Sequence, residues 1–431
     1  MSTTAAPAWM QRIQSDPRYK DVPPGMLIIN RLGGWLPLDH RVLKKWLDKR
    51  ITTIDSRNQR GAKVAFDPVI QQFQNVIESN SSIYMGFHEM FTQVPDKPPY
   101  DEDPTGKPQV RDYMLMLELF NDIIKSAPAW EDNDLVGFPI NAILDWPMGT
   151  PAGYAMFTTD KVNEAFKNMF DVWVQFLTSP DSRYVILGWI PHLPNFTDLY
   201  VCTPSDEYYG YKSWDDFFVR KFIDGVRPVD TTDNTTITSA CESAFLELAT
   251  NVKERDQFWM KGQPYSLADI LNYNATYVPQ FVGGTVYQAF LAATKYHRWH
   301  SPVNGTIVDV FNVPGTYYAE SPEVGFDPSA PDLSQAFITA MAARALIYIQ
   351  ADNPAIGLMC FVGVGMSEVS SCEITVAKGQ QVTKGDELGM FHFGGSTHCL
   401  IFRPQTQLTF FSHEQHDDIL LNEVIANVVS Q

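Results

Sequence analysis

The spacing of apolar residues predicts a largely helical first half of the chain. Between 158 and 180, apolar side chains recur every three or four positions, which places them on one face of a helix. These side chains are Val162, Phe166, Met169, Trp173 and Phe176. Thr159 or Asp160 can cap this helix and Pro180 can end it. The same spacing predicts helices at about 68–77 and 113–124, and apolar faces of this kind are typical of helices packed on a core.

The pattern changes near Asp206. A last aromatic helix, in EYYGYKSWDDFFVRKF, precedes a turn-rich linker, and short apolar runs beyond it predict strands. These runs are SAFLELAT, GTIVDVFNVPG, TYYAE, RALIYIQAD and GLMCFVGVG. Glycines between alternating apolar residues at 374–393 predict tight hairpins like those of lipoyl and biotinyl carrier domains. The predicted fold class is therefore α+β, with a helical domain over 1–205 and a mostly antiparallel, sandwich-like or barrel-like domain over 206–431.

Charge and cysteine usage narrow the classes of function. The formal net charge of −18 argues against nucleic-acid partners and against electrostatic docking on anionic lipid. No uncharged apolar run approaches the roughly 20 residues that span a bilayer, and the start of the chain has no apolar leader, so no stable membrane insertion is expected. The five cysteines show no CxxC spacing, which suits a reducing compartment. A cytoplasmic protein that acts on small molecules is the prediction.

Two histidines and one serine are candidates for chemistry. His297 and His300 lie three apart in KYHRWHSPVNG, but no third metal ligand can be identified nearby, so no metal is predicted and a purely structural role stays open. Ser396 lies in Gly394-Gly395-Ser396-Thr397-His398, which lacks the last glycine of the nucleophile elbow of serine hydrolases.

The two glycines before Ser396 favour a different reaction. Gly394 and Gly395 interrupt the apolar run FHFGGSTHCLIF at 391–402, and glycine inside a strand often marks a bulge or a close backbone approach. A serine hydroxyl can attack the carbonyl of the preceding residue if the backbone is bent, and glycine there removes the Cβ that would block it. The Gly395–Ser396 bond is therefore a candidate for self-cleavage.

Several motifs in order resemble the pyruvoyl-dependent phosphatidylserine decarboxylases. They are KSWDDFFVRKFIDGVRPV, GQPYSLADIL, YHRWHSPVNG, VPGTYY and LGMFHFGGST. The chain is more similar still to a soluble fungal branch, the pyruvoyl-dependent L-tryptophan decarboxylases, through ACES, YHRWH, FHFGGS and a segment like PVIQQFQNVIES. This broader resemblance extends over nearly the whole chain from about residue 60.

The resemblance implies a cofactor made from the chain itself. Ser396 would attack the Gly395 carbonyl to form an ester, and elimination and hydrolysis would leave a pyruvoyl group in place of Ser396. The products would be a chain of residues 1–395 and a non-covalently held chain of 36 residues, 396–431. Neither pyridoxal phosphate nor a metal ion would be needed.

The resemblance also assigns roles to site residues. His300 would be the base for Ser396, and Glu242, in register with an aspartate of the family, would orient its ring. The alternative for Glu242 is a surface or strand-end carboxylate. His297 would be the general acid of the decarboxylation, and Thr397 would either hydrogen-bond the reacting group or serve as an ordinary strand residue.

The expected substrate is an aromatic L-amino acid, with L-tryptophan giving tryptamine and CO₂. Two alternatives stay open. The chain could decarboxylate phosphatidylserine to phosphatidylethanolamine, or it could be an unprocessed homologue that acts as a binding protein.

Overall fold

The computed structural model describes residues 40–62, 64–94, 109–130, 138–256, 265–320, 334–368, 370–414 and 417–429, with side chains from residue 45 onward. The first 39 residues of the predicted helical domain lie outside this part of the chain.

Helices dominate the described chain up to residue 218. They are α1 His40–Gln59, α2 Pro68–Glu78, α3 Ser81–Thr92, α4 Tyr113–Ile123, α5 Pro139–Met148, α6 Pro151–Phe157, α7 Asp160–Leu177, α8 Ile186–Trp189, α9 Phe196–Leu199 and α10 Trp214–Phe218. Short 3₁₀ helices occupy Pro180–Val185, Ile190–His192 and Glu207–Gly210. Side-chain caps fix several starts, since Asp67 accepts from the Val69 N–H and Asp112 from the Leu115 N–H.

The three periodic segments are confirmed as α2, α4 and α7. Phe166 and Trp173 of α7 are fully buried, as the apolar spacing predicts. The predicted aromatic helix is shorter than expected, because Tyr208 and Tyr209 have φ of 52° and 58° and break the segment. Only α10 and one 3₁₀ turn remain there.

The second half is built mainly from strands. They are β1 Thr236–Thr238, β2 Ser243–Thr250, β3 Thr285–Leu291, β4 Arg298–His300, β5 Gly305–Val313, β6 Arg344–Ala351, β7 Leu358–Met366, β8 Cys372–Ile374, β9 Gln381–Val382, β10 Glu387–Phe391, β11 Gly395–Phe402, β12 Leu408–Phe410, β13 Asp418–Ile419 and β14 Val424–Val428. Three short helices lie among them, α11 Leu267–Ile270, α12 Val278–Phe281 and α13 Gln335–Met341.

The strands form one large sheet and two small ones. The large sheet has the order β13-β2-β3-β11-β7-β6-β5-β9, and the small sheets have the orders β1-β14-β12 and β4-β10-β8. The paired strands of all three run antiparallel. The α+β prediction is thus confirmed, with open sheets in place of a closed barrel.

Two local predictions need correction. TYYAE is not a strand, since only Thr316 forms an isolated bridge, to Ala342, where Gly315 packs closely on the backbone. In 374–393, β8 pairs with β10 while β9 pairs with β5, so the turns at Gly379 and Gly385 connect strands of two sheets.

The large sheet separates two apolar layers. Side chains alternate between its faces, so Cys399 and Ile401 of β11 pack with the helices, whereas Leu400 and Phe402 pack with the small sheets. The helical layer joins residues of both halves, including Trp173 and Phe393. β11 lies between β3 and β7 inside the large sheet, and it carries the serine on which the site is centred.

Candidate active site

Ser396 lies near the start of β11, opposite Leu291 of β3 and Gly365 of β7. It is fully buried, and its hydroxyl makes no hydrogen bond. A buried hydroxyl without a partner is costly and is uncommon in native structures unless it has a role. By alternation, Ser396 faces the side of the sheet covered by the two small sheets.

The backbone before Ser396 is closely packed, which explains a glycine at 394. A Cβ on Gly394 would lie 2.6 Å from Oγ and 2.8 Å from the backbone nitrogen of Ser370. The Ser370 N–H donates to the Phe393 carbonyl at 2.9 Å. Gly394 therefore permits the close backbone approach that the sequence suggests.

Thr397 faces the opposite side of β11. Its hydroxyl donates to the Ala289 carbonyl at 3.0 Å and accepts from Gln288 Nε2 at 3.1 Å. Gln288 is also bonded to Thr339, and Tyr265 donates to its carbonyl oxygen. The Thr397 hydroxyl is thus part of a buried network on the helical side, and this arrangement favours the structural alternative for this residue.

His297 is fully buried beside an aromatic ring. Its imidazole stacks on Phe218 with a centroid distance of 4.0 Å, and neither ring nitrogen makes a hydrogen bond of good geometry. Burial, and then the charge of Arg220, lower the pKa of His297 to about 3. The ring is neutral at pH 7, so one nitrogen can donate a hydrogen bond and the other can accept a hydrogen bond or a proton.

His300 ends β4 and has a partner for each ring nitrogen. Nδ1 lies 2.7 Å from the Gly385 carbonyl, and Nε2 lies 3.0 Å from the Tyr296 hydroxyl. Because a carbonyl only accepts, Nδ1 carries the proton and Nε2 offers its lone pair to the Tyr296 hydroxyl. Burial lowers the pKa of His300, which keeps this lone pair available at neutral pH.

Glu242 is paired with an arginine. Its carboxylate accepts from Arg227 Nε at 3.0 Å and from Arg227 NH2 at 2.5 Å, and it also accepts from the Leu421 N–H at 2.8 Å. The residue is buried, with 6 % of its surface exposed, so it is not a surface carboxylate. It directly precedes β2, so the alternative of a strand-end carboxylate stays open. The uncut chain does not join Ser396, His300 and Glu242 in one hydrogen-bonded series, and their roles stay predictions.

Three further residues that contact or neighbour the candidate residues were not singled out from the sequence. His398 is fully buried two positions after Ser396 on the same face, and neither ring nitrogen makes a hydrogen bond of good geometry. Its place in the strand alternation is the signal that could have identified it. Arg227 and Tyr296 lie in the recognised motifs, but their contacts with Glu242 and His300 have no signature in the sequence.

His392 forms an ion-pair bridge just before the glycines. Nδ1 lies 2.9 Å from Asp215 of α10, and Nε2 lies 2.9 Å from Glu373 of β8. Burial disfavours the charged ring, but the hydrogen bonds and charges of Asp215 and Glu373 outweigh it and raise the pKa of His392 to about 9. A charged imidazole therefore ties α10 and β8 to the segment that leads into Ser396.

The described residues contain no group of three or more His, Cys, Asp or Glu side chains able to hold a metal ion. Within the same residues, no helix is both long and apolar enough to cross a membrane.

Comparison with known proteins gives consistent matches over both halves. Two family models, both described as phosphatidylserine decarboxylase, match residues 67–192 and 214–427. An L-tryptophan decarboxylase of Psilocybe cubensis is 37% identical over 427 residues, covering 91% of this chain and 93% of that protein. The chain belongs to the phosphatidylserine decarboxylase family. It is a decarboxylase, and therefore a carboxy-lyase.

Other relatives differ in how much of the chain they share. A decarboxylase of Amanita muscaria is 43% identical over 324 residues, covering 68% of this chain and 91% of that protein. Phosphatidylserine decarboxylase proenzyme 3 of Schizosaccharomyces pombe is 31% identical over 195 residues, covering 45% of this chain and 19% of that protein. Similarity to the Psilocybe and Amanita decarboxylases covers more than the second half of the chain, so it extends into the helical half.

Family enzymes depend on a pyruvoyl group and are processed into two chains that remain together. The residues at 394–396 fit such a group. Ser396 supplies a buried hydroxyl with no competing partner, and the backbone before it approaches Ser370 at a distance that only glycine allows.

Proposed function

We propose that the chain is a pyruvoyl-dependent decarboxylase of aromatic L-amino acids that activates itself by cutting the Gly395–Ser396 bond. The observation that carries the proposal is the fully buried, unpartnered Ser396 hydroxyl after two glycines in the central sheet. Membership of a pyruvoyl-dependent family supports it.

Self-cleavage begins with the Ser396 hydroxyl. Its oxygen attacks the Gly395 carbonyl, the peptide C–N bond breaks, and an ester links the two segments. Loss of the α-proton then expels the Gly395 carboxylate and leaves a dehydroalanine, which water converts to a pyruvoyl group with release of ammonia. Residues 1–395 and 396–431 are then two chains with no covalent link. They stay associated through the strand pairing of β11 with β3 and β7.

His300 is the proposed base for Ser396. Its Nδ1–H is fixed by the Gly385 carbonyl, so the lone pair that accepts a proton is on Nε2. In the uncut chain the Tyr296 hydroxyl donates to that lone pair, so Tyr296 must move aside or relay the proton. Glu242 is proposed to orient His300 indirectly. It lies two residues after Ala240, whose carbonyl accepts a hydrogen bond from the His300 backbone N–H at 2.8 Å.

In turnover, a pyruvoyl group would supply a carbonyl for the substrate amine and would withdraw electrons as CO₂ leaves. His297, enclosed beside Phe218, is the proposed proton donor to the carbon that loses CO₂. Because its ring is neutral in the uncut chain, His297 must take up a proton before it can donate one.

The extent of similarity favours an aromatic amino acid as the substrate. The Psilocybe L-tryptophan decarboxylase aligns with 91% of this chain, whereas the fission-yeast phosphatidylserine decarboxylase aligns with 45%. The helical half lies next to the junction through contacts of Phe138 and Trp173 with Phe393.

A substrate comparison tests the proposal. Purified protein would be incubated with L-tryptophan, L-tyrosine, L-phenylalanine or phosphatidylserine vesicles, with release of CO₂ and of the amine measured. We expect tryptamine as the main product and no product from Ser396→Ala, which cannot form the pyruvoyl group. Decarboxylation of the vesicles without activity on the free amino acids would refute the assignment and favour the phospholipid alternative.

A further inference from the structure

Glu368 lies beside the Gly395–Ser396 junction, in a turn to which Ser367 and Ser370 also belong. In the pairing of β7 with β11, Gly395 lies opposite Met366 and Ser396 opposite Gly365, so Ser367 and Glu368 follow directly on residues paired with the junction. On the other side of Glu368, the Ser370 N–H bonds to the Phe393 carbonyl at 2.9 Å. Residues on both sides of Glu368 thus contact the junction or the segment before it.

The backbone of this turn is strained. The φ angles of Ser367, Glu368 and Ser370 are 56°, 26° and 41°. Residues other than glycine seldom adopt positive φ angles of this kind. Such conformations persist where surrounding contacts hold them, and they concentrate at functional sites. The contacts that hold this turn are therefore informative.

The main contact is a buried carboxyl group. Glu368 is fully buried, and its Oε1 accepts from the backbone N–H groups of Ile140 and Asn141, each at 3.0 Å. Burial raises the pKa of Glu368 to about 8, so its neutral acid form predominates at pH 7 and Oε1 accepts at the first turn of α5 as a carbonyl oxygen. The N-cap residue of α5, Phe138, offers no side-chain hydrogen bond, so Glu368 serves as its cap from 228 residues away.

Two further contacts join the same helix start to the junction. The Ser367 hydroxyl donates to Asn141 Oδ1 at 3.1 Å. Phe138 stacks on Phe393 with a centroid distance of 6.0 Å and an interplanar angle of 8°. The other carboxyl oxygen of Glu368 has no partner of good hydrogen-bond geometry, and the Tyr318 hydroxyl interacts with the same side chain, so the hydrogen bonds to the start of α5 are the main ones that hold Glu368.

We propose that Glu368 is a positioning residue for self-cleavage, through which the helical half of the chain holds Ser367 and Ser370, and with them the Gly395–Ser396 bond, in the cleavable geometry. This inference rests on the proposed function, since it concerns the cleavage of that bond. It gives the helical half a part in making the cofactor.

The test is a time course of cleavage in freshly translated full-length chain, followed by denaturing mass measurement of the 1–395 and 396–431 products. Glu368→Met keeps the volume of the side chain but removes the acceptor, and we expect cleavage to slow by about tenfold or more, as for other losses of positioning. Glu368→Gln keeps a carbonyl oxygen for both N–H groups and should cleave within about threefold of the wild type.

A matched control separates positioning from stability. Asp112→Ala removes a helix cap of the same half, the bond from the Leu115 N–H at 2.8 Å, away from the junction. Melting temperatures of all variants would be compared in the Ser396→Ala background, where every chain stays uncut. Asp112→Ala should melt earlier and yet cleave at the wild-type rate.

Several outcomes would overturn the inference. Wild-type cleavage by Glu368→Met would show that the contact is not needed, and equal slowing by Asp112→Ala would show a general effect of stability. If Glu368→Met does not fold, Ser367→Ala removes only the bond to Asn141, and unchanged cleavage in that variant would count against the proposal. An uncut wild-type chain would overturn the proposed function itself, whereas cleavage of the wild type with an indifferent Glu368 would overturn only this inference.

Discussion

Ser396 and Thr397 are neighbours in the chain, yet their hydroxyls lie on opposite faces of β11 in opposite surroundings. The Ser396 hydroxyl is buried without a partner, while the Thr397 hydroxyl both donates and accepts in a closed network. An unpartnered hydroxyl is free to become a nucleophile, whereas a satisfied one contributes to stability. Because consecutive residues of β11 face opposite sides, a reactive residue and a structural residue can be direct neighbours in the chain.

Thr397→Val tests this separation. The substitution keeps the branched shape but leaves the Ala289 carbonyl and one donor of Gln288 without this partner. We expect the free energy of unfolding to fall by about 1–3 kcal/mol, with self-cleavage and decarboxylation near wild-type rates. Denaturant unfolding and product assays measure the two effects. A large loss of decarboxylation at unchanged stability would instead mean that the hydroxyl contacts the reacting group.

The role of a single residue could be predicted where the neighbouring sequence determines it. Glycine at 394 follows from a close backbone approach, which the interrupted apolar run already suggests. The partners of Glu242 and His300 were not predictable in this way. Leu421 is 179 positions from Glu242 and Gly385 is 85 from His300, and only the tertiary fold brings such groups together.

At the scale of elements, the junction is held by segments on either side of it. Ser370 contacts Phe393 and Gly394, and His392 is fixed between α10 and β8. These contacts place a short irregular segment between β10 and β11, where continuous strand pairing would otherwise be expected. The bend that self-cleavage needs therefore depends on neighbouring elements as well as on the glycines.

The bridge through His392 should make stability depend on pH. Its pKa is 6.5 when unperturbed and about 9 in the folded chain, so its stabilising effect is complete below about pH 6.5 and is lost as the pH rises through 9. His392→Asn should unfold more easily than the parent by about 1–3 kcal/mol at pH 6, a range reduced for the exposure of Glu373.

The difference between parent and variant should shrink toward zero above pH 9. Denaturant unfolding of both chains in the Ser396→Ala background, at pH 6, 7.5 and 9.5, measures it without interference from cleavage. Subtracting the two curves removes the effect of other groups that titrate in the same range. A difference that stays constant with pH would contradict a charged His392 in the folded state.

Helices and strands with a long, regular apolar pattern were predicted correctly, whereas two short segments with a weak pattern were not. α2, α4 and α7 show several turns of consistent spacing, and β6, β7 and β11 are long apolar runs inside a sheet. TYYAE has strand-like residues, but among the described residues its only strand-type pairing is the bridge from Thr316 to Ala342. The segment around Tyr208 and Tyr209 has apolar rings at suitable positions, yet its backbone departs from helical φ values, which composition does not reveal.

At the scale of the whole molecule, the two halves share one apolar layer. The helices and one face of the large sheet form a single hydrophobic cluster, and the family models match both segments, 67–192 and 214–427. The division at residue 205 stays a prediction about folding units, as does the cytoplasmic location. The shared layer explains how α5 and α7 reach a junction that lies more than 200 residues later in the chain.

The central claim is that the chain cuts itself at Gly395–Ser396, and the intact mass of the purified protein under denaturing conditions tests it most directly. We expect two chains, residues 1–395 and a 36-residue chain whose first residue is a pyruvoyl group, while Ser396→Ala gives one chain of full length. A wild-type protein that remains a single chain at full mass would contradict the account and favour an unprocessed binding protein.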